Sequence, residues 1–194
     1  MRIPLSFFWA ALFLATLAAP GIGQEELVDG PQYTTEGKLE YPVNYREWVF
    51  LSSGLGMTYG PLGANAGEEN PPFDNVFVDR TAYRSFLNSG RWPNKTIFVL
   101  EVRSSQSKGS INNGGHFQAG AIGVEVHVKD EKRFPGKWAF FSFDKGLLPA
   151  AQIPASASCY SCHSKSGAVD TTFVQFYPTL IRVAEQKGTL AKRP

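Results

Sequence analysis

The stretch Ala121-Ile122-Gly123-Val124-Glu125-Val126-His127-Val128-Lys129 decides the fold class. Apolar and polar side chains alternate along it, which is the pattern of a β-strand with two different faces. One face then carries Ile122, Val124, Val126 and Val128. The other carries Gly123, Glu125, His127 and Lys129, and the pattern alone predicts that this second face is exposed to solvent.

Further strands are predicted on both sides of this one. Residues 75–79, 96–105 and 137–143 are rich in β-branched and aromatic side chains, and turn-rich connectors such as residues 106–115 separate them. Sequential strands joined by short turns favour an antiparallel sheet over a parallel one. We therefore predict an α+β fold, with an antiparallel β-sheet flanked by a few helices.

Local signals place three helices around the sheet. Asn44, followed by Glu47, suggests a capping box for a helix over residues 44–51. A second helix is predicted over residues 80–88, ended by Gly90, and a last one begins near Pro178 and stops at Gly188. Residues 52–72 are rich in glycine and proline and predict a long surface loop.

The N-terminus has the features of a secretory signal peptide over residues 1–23. Arg2 precedes an apolar run that ends in small residues, although an uncleaved N-terminal anchor has a similar pattern. Residues 24–40 then predict a loosely ordered arm, and residues 41–194 a single domain. The formal net charge of +2 gives no reason to expect a nucleic-acid partner.

Residues Cys159-Tyr160-Ser161-Cys162-His163 form a C-x-x-C-H motif, which is typical of c-type haem attachment. The thiols of Cys159 and Cys162 would form thioether bonds to one haem, and His163 would bind its iron. Export agrees with this interpretation, because c-type haem is attached outside the bacterial inner membrane. The expected location is therefore the periplasm.

Other interpretations of the motif have less support. A thioredoxin-like redox site should follow a strand, but residues 147–158 are rich in proline, alanine and serine. A structural zinc site needs four ligands, and beyond the motif the sequence offers only His116 and His127 as histidines and no cysteine. A disulfide between Cys159 and Cys162 would close a very small loop and stabilise little.

The motif and the run after it, Asp170-Thr171-Thr172-Phe173-Val174-Gln175-Phe176-Tyr177-Pro178-Thr179-Leu180, resemble the C-terminal part of the cytochrome P-460 family. Further blocks resembling this family run in its order from about residue 41 to 182: Asn44-Tyr45-Arg46-Glu47-Trp48-Val49, Val76-Phe77-Val78-Asp79, Ile122-Gly123-Val124-Glu125, Val128-Lys129-Asp130 and Lys137-Trp138-Ala139-Phe140. The resemblance implies a periplasmic, β-rich homodimer. The family includes cytochromes that oxidise hydroxylamine and cytochromes c′-β that bind nitric oxide, so both activities remain open.

The resemblance also implies roles for individual residues. Cys159 and Cys162 match the haem-attachment cysteines, and His163 matches the proximal ligand. Glu125 matches a distal glutamate that moves protons in hydroxylamine-oxidising members, which makes it the candidate catalytic residue. Leu100 stands where those members have a lysine that cross-links to the haem. A leucine cannot form that bond, so an ordinary haem c is implied and gas binding is favoured.

The sixth iron ligand distinguishes two classes of function. An electron-transfer cytochrome fills this position with methionine or histidine, here Met57 or His116. Met57 lies in the glycine-rich region and His116 in a predicted turn, so an open site that binds nitric oxide or hydroxylamine is favoured. The expected partners are then a small-molecule ligand or substrate and an electron-transfer protein. A simple electron carrier is the alternative.

Overall fold

The structure is a computed structural model that describes residues 29–58, 68–143 and 146–191. These ranges contain five strands, three α-helices and two short 3₁₀ helices. In chain order they are the 3₁₀ helix Tyr45–Glu47, β1 (Val49–Leu55), β2 (Phe73–Val78), α1 (Arg80–Ser89), β3 (Ile97–Gln106), β4 (Phe117–Lys129), β5 (Trp138–Ser142), α2 (Ser158–Ser166), the 3₁₀ helix Val174–Phe176 and α3 (Ile181–Gln186).

The five strands form one sheet in the order β1-β2-β3-β4-β5, and every neighbouring pair is antiparallel. The predicted α+β class, with an antiparallel sheet flanked by helices, is therefore confirmed. The strands predicted at residues 75–79, 96–105, 121–129 and 137–143 correspond to β2, β3, β4 and β5. Sequence order and spatial order coincide, because strands that follow one another in the chain pair with each other. In the described ranges α1 is the one helix inserted between strands.

The prediction of a helix over residues 44–51 is wrong. Only one 3₁₀ turn forms there, and the Asn44 side chain makes no capping hydrogen bond. Val49 and Phe50 instead begin β1, where they pair with Val78 and Phe77. A side-chain cap is worth about 1 kcal/mol, which is less than the burial of one Val or Leu side chain at about 1.5–3 kcal/mol. The predicted loop at residues 52–72 accordingly begins later, and residues 59–67 lie outside the described ranges.

The two faces of the sheet are both covered. Val78, Phe98, His127 and Phe140 are successive cross-strand partners and share one face, which we call the site face. The site face packs against α1 and the C-terminal segment through Ala82, Phe86, Val169, Val174 and Leu180. The opposite face, here the core face, carries Val99, Val126 and Phe141 and packs against Leu39, Tyr45, Trp48, Phe134 and Ala150.

The alternation predicted for β4 is confirmed for Val124, Val126 and Val128, which are buried in the core face. Ile122 departs from it and is 63% exposed. The register between β3 and β4 shifts at this point, so Ile122 falls in a β-bulge rather than opposite a partner.

Helix α1 confirms the prediction made for residues 80–88. Asp79 accepts hydrogen bonds from the backbone N–H of Ala82 (2.7 Å) and of Ile97 (3.0 Å), which joins the start of the helix to β3. Burial raises the pKa of the Asp79 carboxyl, although these backbone N–H groups oppose the shift. Gly90 ends the helix in the left-handed conformation at φ 68°.

The two ends of the described chain are also packed. The loosely ordered arm predicted for residues 24–40 is not loose in its described part, because Leu39 is fully buried and bonds to Ala150. The predicted signal peptide at residues 1–23 lies outside the described residues. Helix α3 begins three residues after Pro178, later than predicted. No helix in the described ranges is long and apolar enough to cross a membrane.

Candidate functional site

The C-x-x-C-H motif lies on α2, a helix that the sequence did not predict. Residues 146–157, which lead into it, form no strand, so the structural context of a thioredoxin-like motif is missing. Cys159 and Cys162 are three residues apart and therefore lie on the same side of the helix. Both are free thiols, the first half-buried and the second exposed. One ligand at the protein surface can reach both.

Tyr160, between the two cysteines, fastens α2 to the edge of the sheet. Its hydroxyl donates to the carbonyl of Ile153 at 2.9 Å and accepts from the N–H of Phe140 at 3.4 Å. Its ring packs edge-on against Phe140, with centroids 4.8 Å apart. The motif helix is therefore held against β5.

The imidazole of His163 has one nitrogen engaged and one available. Its Nδ1 lies 2.8 Å from the carbonyl oxygen of Thr171, so Nδ1 carries the proton and donates it. Among the described residues, Nε2 has no hydrogen-bond partner, which leaves its lone pair available for a metal. Burial lowers the pKa of His163, although the bond to Thr171 opposes the shift. A neutral imidazole with this tautomer fits an axial iron ligand.

Gly167 makes the bond between His163 and Thr171 possible. Its N–H donates to the carbonyl of His163 at 2.9 Å and ends α2. A Cβ at this position would lie 2.7 Å from the His163 carbonyl oxygen and 2.9 Å from the carbonyl carbon of Thr171. Only glycine lets the chain turn so closely around the end of the helix.

The loop of residues 168–172 is anchored by Trp92, which lies between α1 and β3, and by Lys129 of β4. Thr172 accepts a hydrogen bond from Nε1 of Trp92 at 2.8 Å and donates to the carbonyl of Val169 at 2.8 Å. Lys129, at the end of β4, lies 3.2 Å from Asp170 and donates to the Trp92 carbonyl at 2.8 Å. The expectation that Lys129 is solvent-exposed is wrong, because this loop covers it.

Three rings surround His163 on the site face. The centroid distances are 4.3 Å to Phe173, 4.6 Å to Phe140 and 5.0 Å to His127. His127 is buried, so the expectation that it faces solvent is also wrong. Burial, with a smaller contribution from His163, holds the pKa of His127 well below its ordinary value. The surroundings of the candidate iron ligand are therefore aromatic and uncharged.

Glu125 and Leu100 are direct cross-strand partners on the site face. They lie one row beyond Phe98 and His127, on the side of the sheet against which His163 packs. Glu125 is exposed and Leu100 is half-buried. The structure thus pairs the two positions singled out by the resemblance, on the face of the sheet against which His163 packs. The catalytic role of Glu125 stays a prediction.

His116, one candidate for a sixth iron ligand, lies far from this row. It precedes β4 and lies eleven positions before His127, which corresponds to roughly 35 Å along a strand. Its Nε2 lies 2.8 Å from the carbonyl of Glu69. His116 and His163 are therefore at different ends of the sheet.

Met57, the other candidate, follows the far end of β1. The neighbouring Leu55 is in the same row of the sheet as Arg103, through Phe73. Arg103 is five residues from Phe98, or roughly 15 Å along β3. The Met57 sulfur instead packs against Gly54, where it occupies the space that a Cβ would need. Neither candidate therefore lies in the row of the sheet that contacts His163.

A polar cluster on the core face was not predicted. Glu101 is 3% exposed and accepts hydrogen bonds from Tyr45, Arg46 and Arg103. Burial alone would raise the pKa of Glu101, but these three donors outweigh burial and lower it. No group of three or more histidine, cysteine or carboxylate side chains in the described ranges could hold a metal ion. The cluster satisfies a buried carboxylate and is structural.

Comparison with known proteins identifies a family. A family model described as Cytochrome P460 matches residues 42–174, which is more than half of the chain and includes all five strands and the C-x-x-C-H motif. No curated protein sequence matches.

Proposed function

The chain belongs to the cytochrome P460 family of haem-binding cytochromes, and on that premise we propose that Cys159 and Cys162 attach one haem c per chain while His163 binds its iron. The observation that carries this proposal is the bond from Nδ1 of His163 to the Thr171 carbonyl. It fixes the ring and leaves Nε2 available, as in other metal-binding histidines. The two thiols on the same side of α2 would complete the attachment site.

We further propose that the protein binds or transforms small nitrogen species, nitric oxide or hydroxylamine, at the open side of the haem. A bound haem would supply reversible one-electron chemistry and a binding site for a small ligand. The placement of Met57 and His116 supports an open position, since each lies well away from the row that contacts His163. Glu125 would accept protons released when hydroxylamine is oxidised, and an electron-transfer partner would accept the electrons.

Leu100 favours nitric oxide binding over hydroxylamine oxidation. It is the direct neighbour of Glu125 on the site face and has no nucleophilic atom with which to cross-link the haem. The protein would then carry an ordinary haem c. The predicted signal peptide supports a periplasmic location, and the family resemblance supports a homodimer; cell fractionation and light scattering test these two proposals.

Covalent attachment is tested by measuring the intact mass of the denatured protein after expression with a haem-maturation system. We expect the mass of one haem on the wild type and none on the Cys159→Ser/Cys162→Ser variant. Ser164→Ala, an exposed change on the same helix, is the matched control and should keep the haem. Haem that acid acetone extracts from the wild type would refute thioether attachment.

Ligand binding is tested by the optical spectrum of the reduced protein before and after nitric oxide is added. A change in the spectrum is expected for an open iron, whereas a low-spin spectrum that nitric oxide leaves unchanged would support the electron carrier. Turnover is tested separately, by hydroxylamine oxidation with an artificial electron acceptor. Equal rates in the wild type and Glu125→Gln would remove Glu125 from the mechanism.

A further inference from the structure

His127 is a buried histidine to which the proposed function gives no role. Its ring stacks on Phe140, with centroids 4.1 Å apart and planes 8° from parallel. It meets the ring of His163 nearly edge-on, at 5.0 Å and 72°. A histidine buried beside a candidate iron ligand needs a hydrogen-bond partner, because burying an imidazole is costly unless its nitrogens are satisfied. A phenylalanine at this position would need none.

That partner is Thr171, which contacts both histidines. Its carbonyl oxygen accepts from Nδ1 of His163 at 2.8 Å, and its hydroxyl lies 3.3 Å from Nε2 of His127. The two contacts use different atoms of one residue, so the contact with His127 restrains the position of the carbonyl. We propose that His127 is a positioning residue that acts through Thr171 on His163, an inference that rests on the proposed ligation of iron by His163.

The consequence for His163 is electronic as well as geometric. A carbonyl held at hydrogen-bond distance from Nδ1 draws that proton away and makes Nε2 a stronger donor. A stronger donor stabilises ferric over ferrous iron, so it lowers the midpoint potential. Trp92 and Lys129 anchor the neighbouring residues Thr172 and Asp170. The contact with His127 is made by Thr171 itself, so its loss should be felt directly at Nδ1 of His163.

The test compares two substitutions of Thr171 in the holoprotein. Thr171→Val replaces the hydroxyl with a methyl group of similar size and leaves the carbonyl in place, whereas Thr171→Ser retains the hydroxyl. We expect the midpoint potential of the haem to rise in Thr171→Val and to stay at the wild-type value in Thr171→Ser. Thermal unfolding of each variant is measured alongside, because a purely structural role would change stability without moving the potential.

A double-mutant cycle identifies His127 as the partner. His127→Phe keeps an aromatic ring beside Phe140 and loses the contact with Thr171. The potential of His127→Phe/Thr171→Val should shift no further than that of Thr171→Val alone, because both changes break the same contact. Additive shifts, or a wild-type potential in haem-loaded Thr171→Val, would overturn the inference; if His127→Phe does not fold, the comparison of Thr171→Val with Thr171→Ser decides. An unchanged spectrum in His163→Ala would instead overturn the proposed ligation, and this inference with it.

Discussion

Replacing Gly167 with alanine should destabilise the protein, although glycine-to-alanine changes outside tight turns are often neutral or stabilising. The atoms that a new Cβ would meet belong to the backbone of His163 and Thr171, at 2.7 Å and 2.9 Å. Backbone cannot rotate away as the end of a flexible side chain can. The turn that brings the Thr171 carbonyl to His163 must therefore open.

The magnitude follows from three contributions. Relieving overpacking of this kind costs about 1–3 kcal/mol, and losing the bond between His163 and Thr171 costs about 1 kcal/mol more. Gly167 has φ −66° and ψ 138°, which alanine adopts readily. The lower entropy of the unfolded alanine variant therefore returns about 0.4–1 kcal/mol. We expect a net loss of about 1–3.5 kcal/mol in the free energy of unfolding.

Urea unfolding followed by circular dichroism measures this loss, and calorimetry should show a lower Tm by about 2–4 °C per kcal/mol. Gly136→Ala is the matched control, because nothing lies within 4 Å of a Cβ built there. It should stay within about 0.5 kcal/mol of the wild type. If Gly167→Ala were as stable as Gly136→Ala, the close approach of the chain around the end of α2 would not be needed.

Three further changes test other parts of the structure. Glu101→Gln should make the free energy of unfolding fall less steeply below about pH 4. A carboxylate with a lowered pKa stabilises the fold above its unfolded pKa and ceases to do so as pH falls through its folded pKa. An unchanged pH profile of the free energy of unfolding would contradict this. Lys129→Met should lower that free energy by about 1–3 kcal/mol in urea, because it leaves the Trp92 carbonyl without its donor, and a loss no larger than that of Lys132→Met, an exposed control, would count against it. Asp79→Ala should lower the free energy of unfolding by about 1–2 kcal/mol, whereas Asp79→Asn should retain most of the cap. Thermal unfolding compares the two variants, and equal Tm values would argue against capping.

The elements that sequence could predict are those with local signals. Gly90 marks the end of α1, and the alternation of Val124, Val126 and Val128 is visible in the sequence alone. The helix prediction for residues 44–51 failed because their conformation depends on pairing with β2, which follows about twenty residues later. A capping pattern is read from neighbours in sequence, whereas strand pairing is decided by neighbours in space.

The candidate site divides in the same way. Cys159, Cys162 and His163 are contiguous and could be found from the motif. The alternation in β4 predicts an exposed His127, whereas Thr171, in the segment that covers it, lies more than forty residues further along the chain. The carbonyl of Thr171 could not be found at all, because a backbone oxygen leaves no signature in the sequence. Resemblance to a family pointed to the right stretch, since Thr171 falls inside the matching block.

The sheet with two covered faces also has a consequence for how the protein unfolds. The core face contains no residue of the candidate site, whereas the site face is closed by the C-terminal segment that carries the motif. Each face can therefore be a separate cooperative unit, with its own opening free energy. In Cys159→Ser/Cys162→Ser, amide hydrogen exchange should remain slow at Val99 and Val126 and become faster across α2 and the loop after it. The haem would then stabilise the C-terminal segment against a sheet that is already formed.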